Sequence, residues 1–202
     1  RELLAANPEW SVRELMARLA TALASKGPAL SLGQTSTSLV DGDISLVVAT
    51  TGSSGVAKEV GLSSAALFAS AKASNKFLGA TAGDSWSLLL PATHIAGINV
   101  LIRSLELGTE PVDLRKHQGP YPKVDFTAIV PTHLFRALKA DSNLLKHLVD
   151  AKAVLVGGAA LSDELAQQAR DAGINIVTTY GMTETSGGCV YNAQVLDGVE
   201  VK

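Results

Sequence analysis

Residues 44–58 read Ile-Ser-Leu-Val-Val-Ala-Thr-Thr-Gly-Ser-Ser-Gly-Val-Ala-Lys. Ile44–Ala49 is a β-branched, apolar run of the kind that forms a buried strand. Glycines follow at once, and a second short strand is expected near Val60. Gly52 and Gly55 let the backbone come close to an anion. The hydroxyls of Thr50, Thr51, Ser53 and Ser54, with the free N–H groups, donate to phosphate oxygens, and Lys58 adds a full charge. The spacing is not that of a Walker A loop, which needs Gly, four residues, then Gly-Lys-Ser/Thr. The same residues would also serve as a plain Gly/Ser turn between two strands.

Outward from this stretch, helical and extended patterns alternate. Upstream, Ser11-Val12-Arg13-Glu14 is a capping box, and Leu15, Met16, Leu19, Ala20 and Leu23 recur at helical spacing until Gly27-Pro28. Downstream, Ser63 caps a helix through about Phe77, closed by Gly79. Ser87–Leu90 is expected as a strand, Ile95–Leu105 as a helix and Phe126–Val130 as a strand. Thr132–Lys139 begins a helix, Ala153–Val156 is a strand, Ser162–Ala172 a helix and Ile174–Thr178 a strand. Short apolar strands alternating with helices define an α/β fold with a mostly parallel sheet covered on both faces. The loop 113–124, with Gly119, Pro120 and Pro122, is the one candidate subdomain boundary. The chain opens on Arg1, and Val199–Lys202 reads as a strand stopped midway, so both ends look cut from a longer protein.

In a parallel α/β sheet ligands collect at the carboxyl ends of strands, and two further ends carry unusual chemistry. Val156 is followed by Gly157-Gly158-Ala159, small residues against which a planar ring lies flat, or an ordinary strand-to-helix turn. After Thr179 comes Tyr180-Gly181-Met182-Thr183-Glu184: a stacking face, a hydroxyl and a carboxylate within five residues. Beside a polyphosphate a carboxylate repels unless it holds a divalent cation, so Glu184 is a candidate Mg²⁺ ligand. It would otherwise be a solvated glutamate in a polar loop. The three ends are expected to meet on one edge of one sheet.

Composition narrows the classes. With 17 Lys+Arg against 19 Asp+Glu in 202 residues, a formal charge of −2 leaves no footprint for unspecific nucleic-acid or membrane-surface binding. No apolar run reaches the length of a membrane span. One cysteine, Cys189, forms no internal disulfide, which suits a reducing cytoplasm. His117, His133 and His147 lack metal-ligand spacing. A homo-oligomer is left open.

Taken together these segments resemble the adenylate-forming superfamily of acyl- and aryl-CoA synthetases. Residues 50–59, TTGSSGVAKE, follow its T-S-G-T-T-G-x-P-K-G phosphate loop, and Tyr180–Glu184 matches its Y-G-x-T-E motif outright. Gly157-Gly158-Ala159 falls at its adenine-binding turn. Ala57 stands for the loop proline and Glu59 for a glycine, which is expected to place a carboxylate beside the phosphate cradle and weaken nucleotide binding by about 1 kcal/mol. Within the superfamily the chain is most similar to the o-succinylbenzoate–CoA ligases of menaquinone biosynthesis. Pro91–Gly97 resembles their P-x-x-H-x-x-G segment, Arg103 lies where they carry an arginine for the succinyl carboxylate, and Ile129–Leu134 resembles their V-P-T-Q-L stretch with His133 for glutamine. Ala96 stands where some members have a serine on the substrate side.

The resemblance implies a two-step reaction using ATP, Mg²⁺ and CoA on an aromatic dicarboxylate. Thr50, Thr51, Gly52, Ser53, Ser54, Gly55 and Lys58 would hold the β- and γ-phosphates, Thr183 the α-phosphate and Glu184 the metal. Tyr180, Gly181 and Met182 with Gly157, Gly158 and Ala159 would enclose the adenine. His94, Ala96, Gly97 and Arg103 would bind the acid. The family's T-G-D motif, hinge and C-terminal catalytic lysine are missing, so the chain is expected to be a truncated N-terminal domain, poorly active alone. The alternative for Arg103 is a solvated or ion-paired helix arginine, with Glu106 three residues on. Another acyl- or aryl-CoA synthetase, or a non-catalytic nucleotide-binding homologue, are the rival readings. A Ser/His/Asp hydrolase is disfavoured, because no G-x-S-x-G elbow occurs.

Overall fold

The computed structural model describes residues 1–51 and 57–200. Two sheets form. The smaller contains β1 (Leu3–Ala5), β2 (Ala29–Leu32), β3 (Ile44–Thr51) and β4 (Ala57–Ser63) in that order. β1, β2 and β3 are parallel, and β4 returns antiparallel along β3. Helix α1 (Val12–Leu23) crosses between β1 and β2, and Ser11 caps it, its hydroxyl accepting from Glu14 N at 3.1 Å. Helix α2 (Ser64–Phe77) starts at its Ser63 cap, which accepts from Ala66 N, and ends before Gly79, whose φ of +65° needs no Cβ.

The larger sheet comprises β5 (Trp86–Leu88), β6 (Val112–Asp113), β7 (Phe126–Ile129), β8 (Ala153–Val156), β9 (Ile176–Met182), β10 (Gly187–Tyr191) and β11 (Gln194–Val195), ordered β11-β10-β9-β8-β7-β5-β6. Strands β5 to β9 are parallel, whereas β10 and β11 fold back antiparallel. Helix α3 (Ile95–Leu107) links β5 to β6. Helices α4 (Pro131–Lys139) and α5 (Ser142–Asp150) link β7 to β8, and α6 (Asp163–Asp171) links β8 to β9. Segment 114–125 joins β6 to β7, both of which pair with β5.

Alternation along β8 explains its unbroken apolar run. Ala153 and Leu155 enter the core shared with α1, α2 and α3, while Val154 and Val156 enter a second core under α4, α5 and α6. Helix α3 is mostly apolar and is buried from Gly97 to Ser104, Asn99 and Arg103 included. Together with α2 it touches strands of both sheets, so one core spans them. Three expectations are corrected. The strand before the phosphate loop and the strands before the other two motifs lie in different sheets. Tyr180–Met182 is not loop but the end of β9, held extended by β10. Val199 and Glu200 form no strand; Val199 N instead donates to Leu196 O in a turn. None of the described helices is long and apolar enough to cross a membrane.

Candidate active site

The entry to α3 builds the first wall of a cleft of about 260 Å³. His94 is its N-cap, and Gly97 is buried where a Cβ would sit 2.1 Å from Pro91 O, so the helix rests directly on the Pro91–His94 backbone. Ala96, Asn99 and Arg103 follow at helical spacing and line the cleft along one face of α3. Arg103 is only 4% exposed. Its Nη2 donates to Tyr191 Oη at 3.1 Å, its guanidinium lies 5.1 Å from the centre of the Trp86 ring, and its Nε has no partner among the described residues. No carboxylate pairs with it among the described residues. Glu106 accepts instead from Asn75 Nδ2 at 2.5 Å, which removes the ion-paired alternative. A buried cation without a counter-charge is costly, and a bound anion would relieve that cost.

The opposite wall comes from β8, β9 and β10. Gly157 packs so closely that a Cβ would meet Thr179 Oγ1 at 2.2 Å, and Gly158 takes a φ of +79°. Gly181 faces Gly187 O, where a Cβ would fall 1.9 Å away, and this contact lets β9 and β10 pair up to the turn 183–186. That turn is clamped from both helices. Ser186, at φ +58°, has its carbonyl accepting from Asn99 Nδ2 at 2.8 Å and Ser70 Oγ at 3.2 Å. Thr185 Oγ1 accepts from Met182 N at 2.9 Å and reaches Gly187 O at 2.6 Å. Thr183 is thereby held on the lining of the cleft.

The next residue, Glu184, bridges to the other sheet. Lys58 Nζ donates to its Oε1 at 2.8 Å, although the two are 126 positions apart. The Lys58 hydrogen bond, helped by its own backbone N–H and the Lys58 charge, holds the Glu184 carboxyl below its usual range. Lys58 stands opposite Thr50 in the β3–β4 register, and Thr50 Oγ1 donates to Lys58 O at 3.2 Å. Glu59 is turned away from this pair. Its carboxylate accepts from Ser36 N, Ser36 Oγ and Thr37 N, hydrogen bonds to Thr37 and Ser36 that keep its pKa at about 2. It is therefore committed to the β2–β3 loop.

Of the residues expected from sequence, Ala96, Arg103, Gly157, Gly158, Gly181, Met182 and Thr183 line one cleft, and Lys58 meets Glu184 at its edge. His94, Ala159 and Tyr180 are exposed and outside the lining, and Gly97 is spent on packing against Pro91. Gly52, Ser53, Ser54 and Gly55 lie outside the described residues, as does the Thr51 side chain. Sequence reasoning missed Asn99, Thr179, Gly187, Gly188 and Tyr191. Asn99 had a signal, sitting one turn from both Ala96 and Arg103; Tyr191 had none. Among the described residues no three His, Cys, Asp or Glu side chains group as a metal site. A single ionised, half-exposed carboxylate such as Glu184 nevertheless suits Mg²⁺, which takes one or two carboxylates and completes its shell with water and phosphate oxygens.

The chain belongs to the AMP-binding enzyme family, whose pattern matches residues 5–201. It is 40% identical over 175 residues to a probable 2-succinylbenzoate–CoA ligase of Mycobacterium tuberculosis, an alignment covering 81% of this chain and 45% of that protein. In structure it is similar to wild-type Escherichia coli MenE bound to an m-phenylether-linked analogue of OSB-AMS, with TM-score 0.68, 27% identity and coverage of 98% of this chain and 48% of that one. It is also similar to an acyl-CoA synthetase (AMP-forming)/AMP-acid ligase II-like protein from Dyadobacter fermentans, with TM-score 0.63, 29% identity and coverage of 72% and 43%. The chain thus spans about half the length of the relatives it matches.

Proposed function

We propose that this chain forms the nucleotide- and acid-binding part of an AMP-forming acid–thiol ligase acting on 2-succinylbenzoate. One observation carries the reading: the buried guanidinium of Arg103, which no carboxylate among the described residues neutralises, lines the same cleft as Gly157, Gly158 and Thr183. A diacid needs one carboxylate free to react and a cation to fix the other, and arginine does this through paired N–H donors. The reacting carboxylate oxygen attacks the α-phosphorus of ATP, and the bond to pyrophosphate breaks. The thiolate sulfur of CoA then attacks the acyl carbon and expels AMP.

In this reading the Thr50–Gly55 stretch and Lys58 hold the β- and γ-phosphates and Thr183 the α-phosphate. Gly157, Gly158 and Ala159, with Tyr180, Gly181 and Met182, enclose the adenine. Ala96 shapes the acid side, Gly97 lets α3 start close against Pro91 so that Ala96 is placed there, and His94, beside Ile95 and Ala96 of the lining, guides the approaching carboxylate. Glu184 would hold Mg²⁺, which supplies positive charge to the phosphates. Negative charge building at phosphorus is met by fixed donors and cations, so the contribution of these residues is positional and electrostatic. A reduced Cys189, buried and without a disulfide, suits a cytoplasmic setting.

The test is calorimetric titration of this chain with 2-succinylbenzoate and with benzoate. A charge-assisted bond of about 1.5–3 kcal/mol predicts a preference of roughly 10- to 100-fold for the diacid. Equal affinities would remove the dicarboxylate assignment and leave a general acyl- or aryl-CoA synthetase.

A further inference from the structure

The Arg103 guanidinium is not placed by α3 alone. Tyr191, fully buried at the end of β10, has its phenol between two helices. Its oxygen accepts from Arg103 Nη2 at 3.1 Å and lies 2.9 Å from Ser74 Oγ of α2. Its ring meets Phe77 edge-on at 5.4 Å between centroids, and Gly188 leaves it room, since a Cβ there would come within 2.6 Å of the ring. The guanidinium also stacks over the Trp86 ring, 5.1 Å from its centroid. Tyr191 also lines the cleft. Arg103 therefore has its orientation fixed by a neutral hydroxyl and an aromatic face, neither of which cancels its charge.

We infer that Tyr191, itself oriented by Ser74, is a positioning residue that aims Arg103 and so sets the preference for a diacid over a monoacid. The inference rests on the dicarboxylate reading of the cleft. A carboxylate partner in the same place would orient Arg103 equally well but neutralise it. A hydroxyl that accepts one N–H leaves the positive charge for the ligand. The chain Ser74–Tyr191–Arg103 runs from α2 through β10 to α3, so it forms only when the larger sheet has closed on both helices.

The experiment is calorimetry on this chain with 2-succinylbenzoate, benzoate and ATP as separate probes, using Tyr191→Phe, Arg103→Ala and the double variant. Tyr191→Phe is expected to weaken the diacid about fivefold to tenfold while benzoate and ATP keep their affinities. Arg103→Ala should abolish the diacid preference, and adding Tyr191→Phe to it should cost nothing more. Ser74→Ala, which keeps the phenol, is the second variant and should weaken the diacid about threefold. Equal losses for all three probes with Tyr191→Phe would overturn the proposal, because the phenol would then only support the core. Loss of the preference with Arg103→Ala but not with Tyr191→Phe or Ser74→Ala would overturn it and leave the dicarboxylate reading standing. If Arg103→Ala leaves the diacid preference intact, that reading fails and the proposal with it.

Discussion

Lys58 Nζ donates to Glu184 Oε1 across 2.8 Å, and this bond joins β4 of the four-stranded sheet to the turn after β9 of the seven-stranded one. Both side chains are well exposed, at 64% and 42%. Exposed pairs contribute little to stability, so Glu184→Gln and Lys58→Ala should leave the thermal midpoint almost unmoved. Each should nevertheless weaken MgATP binding about tenfold or more, as charged donors and ligands to phosphate do. Thermal unfolding and ATP titrations with and without Mg²⁺ read the two effects separately. A large fall in midpoint with unchanged nucleotide affinity would make the pair purely structural.

Two glycines of the cleft wall predict different costs. A Cβ on Gly181 would fall 1.9 Å from Gly187 O, a backbone atom of the paired strand, whereas one on Gly157 would meet Thr179 Oγ1. Gly181→Ala should therefore cost about 1–3 kcal/mol, with no side chain able to move aside. Gly157→Ala should be rescued in large part by Thr179→Ala in the same chain. Urea unfolding of the four variants checks this, and absence of rescue would show that the Gly157 backbone itself cannot shift.

Glu59 carries an acid-range prediction. Its carboxyl is held at about 2 in the folded chain against 4.5 unperturbed. A depressed folded pKa stabilises fully above the unfolded value, and the contribution disappears as pH falls from about 4.5 towards 2. Wild type should lose more stability than Glu59→Gln between about pH 5 and pH 3. At neutral pH the same variant should bind ATP as wild type does, since the carboxylate serves Ser36 and Thr37. A gain in nucleotide affinity would return Glu59 to the phosphate side.

His147 predicts the same sign nearer neutrality. It is buried between α5 and the larger sheet, Nδ1 2.9 Å from Pro122 O and Nε2 3.0 Å from Ser87 Oγ, and burial pushes its pKa below 6.5. Below about 6.5 the unfolded chain takes up a proton that the folded one resists, so stability declines as pH drops. His147→Gln should flatten that decline in denaturant midpoints measured across the range. An unchanged slope would assign the decline to other groups.

The elements with local signals were legible in the sequence. Ser11 and Ser63 cap helices where their spacing says they should, and the apolar runs at Ile44 and Ala153 are strands. Long-range features were not. Nothing near Tyr180 reveals that β10 will hold Tyr180–Met182 extended, and strand–helix alternation does not say whether strands share a sheet. Helix α5 was not anticipated, although Asp141 as cap and Leu144 and Leu148 four apart carry its signal; β1 has only three residues, and β2, as long as β8, lacks the β-branched residues that mark a strand. At the site, the motifs marked Lys58 and Glu184 separately, and folding supplied the bond. Arg103 was visible as a charge on an apolar helix, whereas its phenol partner comes from a strand 88 positions away.

The depth of Arg103 beneath Tyr191 and Trp86 separates the two ligands by their response to ionic strength. Mobile ions screen an exposed ammonium such as Lys58 but hardly reach a guanidinium walled in by aromatic rings. In the proposed function, added salt would thus loosen the nucleotide while leaving the choice between acids intact.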